Sequence, residues 1–570
     1  MEYMNKFNQW LNSDFIDKED KAKLKELREN EKELEDSFYT DLAFGTAGMR
    51  GVRGIGSNRM NKYVIRKATQ GLANYMLSVD PEGAKTKGVA IAYDCRIGST
   101  EYSLNAALVL AANGIKAYLF DSLRSTPELS FAVRELGTLS GIVVTASHNP
   151  VEYNGYKVYW EDGAQVIEPH ADGIVDKVNE VNLEDIKLIS EEEAREKGLL
   201  ITISEDIDTK YIETVKKESI NLDIKGKEDF NIIYTPLHGT GGRPVERALK
   251  EMGFSVISVP EQIEPDGTFP TCSYANPEDP SVFTIGIKLA EEKDSEIVMA
   301  NDPDADRIGV AVKDENGKWI YPNGNQIGLL LMNYILKFRK NIPVNGAVIS
   351  TVVSTPMLDV IAKDHNVKVF RTLTGFKFIG EKIRQFETGE IDGTYLLGFE
   401  ESYGYLVGTH ARDKDAVVST LIIAEMAAYY ASQGSSIAKE LKAMYNKYGW
   451  YKEGVSSATM SGKEGAEKIA DIMTTLRENT PTEVNGLKVV TLKDFELQQV
   501  TDLATKEKSS TNLPNSNVIQ LILEDGTYIT ARPSGTEPKI KYYFGVNEKT
   551  EEKVEAKLNK MMKSFSEILK

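Results

Sequence analysis

A serine and a histidine stand side by side in Thr145-Ala146-Ser147-His148-Asn149-Pro150, directly after the apolar run Gly141-Ile142-Val143-Val144. The run reads as a buried strand, and Pro150 closes a turn-prone stretch. Ser147 is therefore expected on a loop at the C-terminal end of a strand, where open α/β sheets bind their ligands. An ordinary Ser/Asn/Pro turn has the same letters, and three further loops weigh against that bland reading. In Asn301-Asp302-Pro303-Asp304-Ala305-Asp306-Arg307 three carboxylates alternate. Side chains two apart point the same way where the chain is extended, so Asp302, Asp304 and Asp306 can converge. Bare carboxylates would repel one another, and a hard cation such as Mg²⁺ removes the conflict. An EF-hand is excluded, because Arg307 and Lys313 stand where that loop needs glycine and glutamate.

Gly398-Phe399-Glu400-Glu401-Ser402-Tyr403-Gly404 offers Glu400 and Ser402 to the hydroxyls of a polyol. Arg532-Pro533-Ser534-Gly535-Thr536-Glu537-Pro538 offers a guanidinium that can grip phosphate bidentately. Ser534, Thr536 and the Gly535 amide are further donors there. The glycine-rich stretch from Phe44 to Gly54 lets backbone amides approach an anion, and Arg50 and Arg53 add fixed positive charge. Lys157, Lys377 and His238 are candidates for phosphate or proton handling. Each of these stretches also reads as a plain solvated turn, a lone lysine as a solvated lysine, and His238 as a structural histidine.

The elements that must hold these loops repeat one plan three times. The first strands are Gly88–Tyr93, Phe230–Tyr234 and Gly346–Ser350, and a helix-length segment follows each. The second strands are Ile115–Phe120, Phe254–Val259 and Val367–Phe370. The third are Gly141–Val144, Ile297–Ala300 and Thr394–Leu397, and each runs straight into one of the polar loops. Apolar strands alternating with helices mean mostly parallel α/β sheets. The coincidence of the loops predicts one cleft faced by three domains. Residues 8 to 39 read as one or two polar helices. Strands near 517–523 and 539–544, with a hairpin turn at Asp525-Gly526, belong to a smaller last domain that ends in an amphipathic helix from 548. Boundaries are expected near 210, 323 and 450, giving domains 1–210, 211–323, 324–450 and 451–570.

A chain of 570 residues with 41% hydrophobic and 27% charged side chains is ordinary globular material for several domains. Cys95 and Cys272 give neither a disulfide framework nor zinc spacing, which points to a reducing cytoplasm. No signal-peptide pattern opens the chain, and no apolar run reaches transmembrane length. A net charge of −18 argues against nucleic-acid and membrane partners, so an anionic substrate needs basic residues gathered locally. Ser147 lacks the Gly-x-Ser-x-Gly setting of a serine hydrolase.

The set TASHNP, NDPDADR, GFEESYG and RPSGTEP, in this order, resembles the α-D-phosphohexomutase family, and within it the bacterial phosphoglucomutases. The likeness spans roughly Phe44 to Phe544. It implies three related α/β domains with mostly parallel or mixed sheets and a smaller C-terminal α+β domain. It implies that Ser147 is the serine phosphorylated in the active enzyme. Asp302, Asp304 and Asp306 then hold Mg²⁺, with a phosphoserine oxygen from Ser147 completing the site. Glu400 and Ser402 match the sugar-recognition loop, and Arg532, Ser534, Gly535 and Thr536 the loop that grips the non-reacting phosphate. Arg50, His148, Lys157 and Lys377 match positions near the transferring group, with Arg307 beside them as a further cation.

The reaction so implied is interconversion of α-D-glucose 1-phosphate and glucose 6-phosphate, with glucose 1,6-bisphosphate as intermediate and activator. Pro303, where many members carry glycine, and Phe399 also resemble the branch holding phosphopentomutases and a glucose 1,6-bisphosphate synthase. Pentose or mannose phosphates are thus alternative substrates, a phosphatase is an alternative enzyme, and a non-catalytic phosphosugar-binding regulator is the alternative of another class. Sugar phosphates are the expected partners, and a monomer or weak homodimer the expected state.

Overall fold

The computed structural model describes residues 2–45, 48–460, 462–534 and 539–569. Three helices open it, Glu2–Asn12, Lys18–Leu27 and Glu31–Phe38, rather than the one or two expected. The sequence reading missed the breaks because they are made by caps. Asp17 accepts from the amide of Asp20, and Asn30 from that of Glu33. The helices bury Phe7, Trp10, Leu24 and Phe38 against the domain that follows.

That domain is built on a six-stranded sheet of β1 (Gly48–Val52), β2 (Val89–Tyr93), β3 (Ala117–Phe120), β4 (Ser140–Val144), β5 (Tyr153–Trp160) and β6 (Leu200–Ile203), ordered β1-β5-β4-β2-β3-β6. The second sheet holds β7 (Asn231–Thr235), β8 (Ser255–Ser258), β9 (Ile297–Asn301), β10 (Ile308–Lys313) and β11 (Trp319–Ile320), ordered β11-β10-β9-β7-β8. The third holds β12 (Gly346–Thr351), β13 (Lys368–Thr372), β14 (Thr394–Glu400) and β15 (Gly404–Val407), ordered β13-β12-β14-β15.

One arrangement recurs in all three sheets. The first strand lies between the second and third, parallel to both. A fourth strand, β5, β10 or β15, returns antiparallel beside the third. β2, β4, β9 and β12 are buried along their whole length, as strands covered on both faces must be. Half of the glycine-rich stretch expected as a loop is strand β1, which pairs with β5 and sets Arg50 opposite Gly155.

The last domain is α+β. Its strands are β16 (Trp450–Thr459), β17 (Glu483–Val484), β18 (Leu487–Asp494), β19 (Gln499–Asp502), β20 (Lys508–Ser510), β21 (Ile519–Leu523), β22 (Tyr528–Pro533) and β23 (Lys539–Glu548). The main path is β16-β23-β22-β21-β18-β19-β20, with β17 paired to β18. Helices Gly462–Glu478 and Glu551–Ile568 close a separate core over it. A boundary at 210 would cut the helix Glu205–Lys217.

The first three domains, in contrast, share one continuous core that includes Phe120, Tyr159, Tyr234, Met299, Leu330 and Leu397. The helix Ala416–Ser432 runs through this core. It is buried on nearly every side, the pattern of a helix with no solvent face, and its one charged residue, Glu425, accepts from the amides of Ile220 and Asn221. It touches β9, β10 and β15 and the helices Glu205–Lys217, Gly242–Glu251 and Gly324–Phe338. Its N-cap Asp415 accepts from the amides of Val417 and Val418 and from the Tyr211 hydroxyl. Among the described residues no helix is long and apolar enough to cross a membrane.

Candidate active site

Every third strand delivers its polar loop into the antiparallel return, so each loop is pinned by a ladder at both ends. Each carries one non-glycine residue in the left-handed region, Ser147 (φ 50°), Ala305 (φ 53°) and Tyr403 (φ 65°). Such residues cost about 1–2 kcal/mol each and persist only where the surroundings over-determine them.

At Ser147 those surroundings are specific. Its amide donates to Thr145 Oγ1 at 2.8 Å. The buried Arg96 donates to four carbonyls of the loop, those of Ser147 (2.6 Å), Asn149 (2.5 Å), Pro150 (2.9 Å) and Tyr153 (3.1 Å). A Cβ on Gly155 would sit 2.4 Å from the Thr145 carbonyl oxygen, so only glycine lets β5 approach this closely. The Ser147 hydroxyl is thereby aimed into the second domain, where it donates to Asp302 Oδ2 at 2.7 Å. His148 Nδ1 lies 3.1 Å from the same Oγ. Burial, with Arg307 and Arg50 close by, pushes the His148 imidazole well below its ordinary range. That shift disfavours the imidazolium, so the 4.0 Å approach to Asp302 is not counted as an ion pair.

Asp302, Asp304 and Asp306 converge, but not by extended alternation. The loop is a turn. Asp302 Oδ1 accepts from the amides of Asp306 (3.0 Å) and Arg307 (2.9 Å) and bends the chain back on itself through Ala305. The loop is braced from behind, because Gly239 packs so closely that a Cβ there would lie 2.4 Å from Pro303 Cα. His238, the neighbour of Gly239, bonds Thr271 Oγ1 at 2.8 Å.

One carboxylate oxygen from each aspartate falls within 4.8 Å of the others. Burial and the charges of Asp304 and Asp306 push the Asp302 carboxyl well above the usual carboxylate range. Asp304 Oδ1 and Asp306 Oδ1 are buried with no hydrogen-bond partner. An all-oxygen donor set with orphaned lone pairs can coordinate a divalent cation such as Mg²⁺.

Cations from two other domains close the cage. Lys157, on β5, donates to Asp304 Oδ2 at 2.8 Å and lies 3.6 Å from Asp306. Burial opposes its charge, but these two carboxylates hold the ammonium above its ordinary pKa. Lys414, from the third domain, bridges Asp306 Oδ2 (3.1 Å) and Asp413 Oδ1 (2.9 Å), and is likewise held protonated against burial. Arg307 pairs with Glu278 at 2.6 Å. Arg50 is tied to the serine loop by its 2.7 Å bond to Asn149 Oδ1.

Glu400 ends β14, accepts from the Gly375 amide at 2.8 Å, and lies within electrostatic reach of Arg307 and Lys414. Ser402 sits two residues on, in the turn before β15. Lys377 comes from the third domain. It lies in the first turn of helix Phe376–Glu387, and the carboxylates acting on it are Glu168 and Asp172 of the first domain. Arg532 stands on β22 opposite Lys541 and near Glu401, and Ser534 follows the strand. Gly535 and Thr536 lie outside the described residues.

Sequence reasoning missed Arg96, Lys414 and Thr126. Arg96 follows the first strand at the same sheet end as the polar loops, a position the repeat could have flagged. The run Arg412-Asp413-Lys414-Asp415 abuts a helix buried on nearly every side, and a dense charge cluster beside a largely buried segment was the available signal. Thr126 carries no pattern of its own.

Three family models match in chain order: phosphoglucomutase/phosphomannomutase alpha/beta/alpha domain I over residues 41–185, domain II over 209–317 and domain III over 323–448. A phosphoglucomutase of Staphylococcus epidermidis is 37% identical over 546 residues, covering 94% of this chain and 97% of the relative. One from Staphylococcus aureus is 37% identical over 556 residues, covering 96% and 98%. Among solved structures, a phosphoglucomutase/phosphomannomutase family protein of Burkholderia thailandensis superposes with a TM-score of 0.66 at 19% identity, over 93% of this chain and 97% of that one. The Paramecium phosphoprotein parafusin in its open form gives 0.69 at 18% identity, over 93% and 95%.

Proposed function

The chain belongs to the α-D-phosphohexomutase superfamily, and from that premise we propose that it interconverts α-D-glucose 1-phosphate and glucose 6-phosphate through a phosphorylated Ser147. The observation that carries this reading is the 2.7 Å contact between Ser147 Oγ and Asp302 inside a buried cage of three aspartates. A hydroxyl presented there can carry a phosphoryl group next to a cation. Preference for glucose rests on the phosphoglucomutases that match along nearly the whole chain.

The cycle begins with phosphoserine 147. The free hydroxyl of a bound sugar monophosphate attacks phosphorus, the P–Oγ bond breaks, and glucose 1,6-bisphosphate forms. The bisphosphate turns over in the cleft and returns its other phosphoryl to Ser147. Transfer of this kind is stabilised mainly by positioning and electrostatics. Asp302, Asp304 and Asp306 would hold Mg²⁺, which would supply Lewis acidity beside the phosphoryl group. Lys157 is a fixed positive charge, since Asp304 and Asp306 keep it protonated. His148, kept neutral beside Oγ, takes the Ser147 proton on the return step. Glu400 and Ser402 receive the sugar hydroxyls. Arg532, with Ser534, Gly535 and Thr536, holds the phosphate that is not reacting, and Arg50, Arg307 and Lys377 add positive charge along the cleft.

Ser147→Ala tests the assignment. Turnover of glucose 1-phosphate, coupled to oxidation of glucose 6-phosphate, is expected to fall by at least about 10³-fold. Near-full activity refutes it. Running glucose, mannose and ribose 1-phosphates side by side on the wild type, with Mg²⁺ and a trace of sugar bisphosphate, tests the glucose assignment, and release of free phosphate would identify a phosphatase.

A further inference from the structure

The cage is held from outside by a residue of another domain. Thr126 opens the helix Thr126–Leu136, capped by Ser125, and is fully buried. Its amide, one of the first-turn donors that a helix cannot satisfy internally, donates to the Asp304 carbonyl at 2.9 Å. Its hydroxyl donates to Asp304 Oδ2 at 2.8 Å. One residue of the first domain thus grips both the backbone and the carboxylate of one residue of the second. Lys157 Nζ adds a second donor to the same Oδ2 at 2.8 Å. With that oxygen occupied, Oδ1 is left buried and unpartnered, and one oxygen of the carboxylate lies within 4.8 Å of oxygens of Asp302 and Asp306.

We propose that Thr126 is a positioning residue for the cation site, fixing the rotation of the Asp304 carboxylate so that Oδ1 faces the cage. Threonine suits the task, because its branched Cβ restricts χ1 and its own backbone is anchored to the same residue. Lys157 cannot replace it, since a long flexible side chain follows the carboxylate where the threonine fixes it. Hydrogen bonds of this outer kind set the orientation of ligating carboxylates, and their loss costs about 10–100-fold in metal affinity. The proposal rests on the cation reading of the three aspartates.

The test is Mn²⁺ binding to the full-length chain, followed by electron paramagnetic resonance, for wild type, Thr126→Val, Thr126→Ser and Asp304→Asn. Valine keeps the shape and removes the donor, whereas serine keeps the donor. Thr126→Val is expected to weaken Mn²⁺ about 10–100-fold and to raise the KM for Mg²⁺ more than it lowers kcat at saturating metal. Thr126→Ser is expected to restore affinity to within about threefold. Valine binding as tightly as wild type overturns the proposal, and so does serine weakening as much as valine, which would mark a packing role. A wild type that binds no Mn²⁺, or an Asp304→Asn variant that binds as well as wild type, overturns the cation reading itself and the proposal with it.

Discussion

At the scale of single residues the site is a set of buried charges, several of them balanced by a residue of another domain. Lys414 is the sharpest case, lying between Asp306 and Asp413 with almost no solvent. Removing one partner of such a cluster leaves uncompensated charge, at about 3–5 kcal/mol. Lys414→Met is therefore expected to lose about 3 kcal/mol in urea unfolding. Glu401 makes the opposite prediction. Burial, with Glu400 beside it, raises its carboxyl to about 7 in the folded state, against 4.5 for an ordinary glutamate. A carboxyl raised on folding contributes stability that is fully present below pH 4.5 and is lost as pH climbs through 7. Glu401→Gln is then expected to raise Tm by a few degrees at pH 8 and much less at pH 5, read by calorimetry at both values. Much of the site was legible at this scale. The aspartates were found from their spacing, yet for a geometric reason that the turn at Ala305 replaces. Lys414 was marked only by the charge cluster around it and Thr126 by nothing, because their roles exist only once separate domains meet.

At the scale of elements the controlling fact is the antiparallel return that anchors each polar loop. The third strands could be read from apolar runs that end in turn residues. The fourth strands could not, since β5, β10 and β15 begin within or just after the functional motifs, whose polar letters hid the strand start. The helix Ala416–Ser432 is the other controlling element, and its cap gathers bonds from several segments. Tyr211 and His410 both reach Asp415, which also caps the helix. Asp415→Ala removes the cap and strands the Tyr211 hydroxyl, so a loss of about 2–4 kcal/mol is expected. Denaturant titration followed by far-UV circular dichroism measures it.

At the scale of the whole molecule the four domains are not equals. Three share one core in addition to cores of their own, while the fourth is built on a separate one and meets the third through two small hydrophobic clusters and a few hydrogen bonds. These include the Tyr528 hydroxyl on the Val353 carbonyl at 2.6 Å and Gln520 on the Val352 carbonyl at 2.7 Å. Calorimetry of the intact chain is expected to resolve two transitions, one for the shared core and one for residues beyond about 450. A single cooperative peak would count against this division. Motif intervals revealed the number of domains. The fusion of three cores was not legible, because it depends on long-range packing that no local pattern encodes.

That fusion bears on how the polypeptide is made. The helix Ala416–Ser432 seals strands β9 and β10, which leave the ribosome roughly a hundred residues ahead of it. Until it emerges, the flank it will cover has nothing of this chain to lie against, although the serine and aspartate loops have already been synthesised. Chains halted before residue 415 should therefore be captured by chaperones, and chains released after 448 should not. Birth order, and not only equilibrium packing, is written into where this one segment lies.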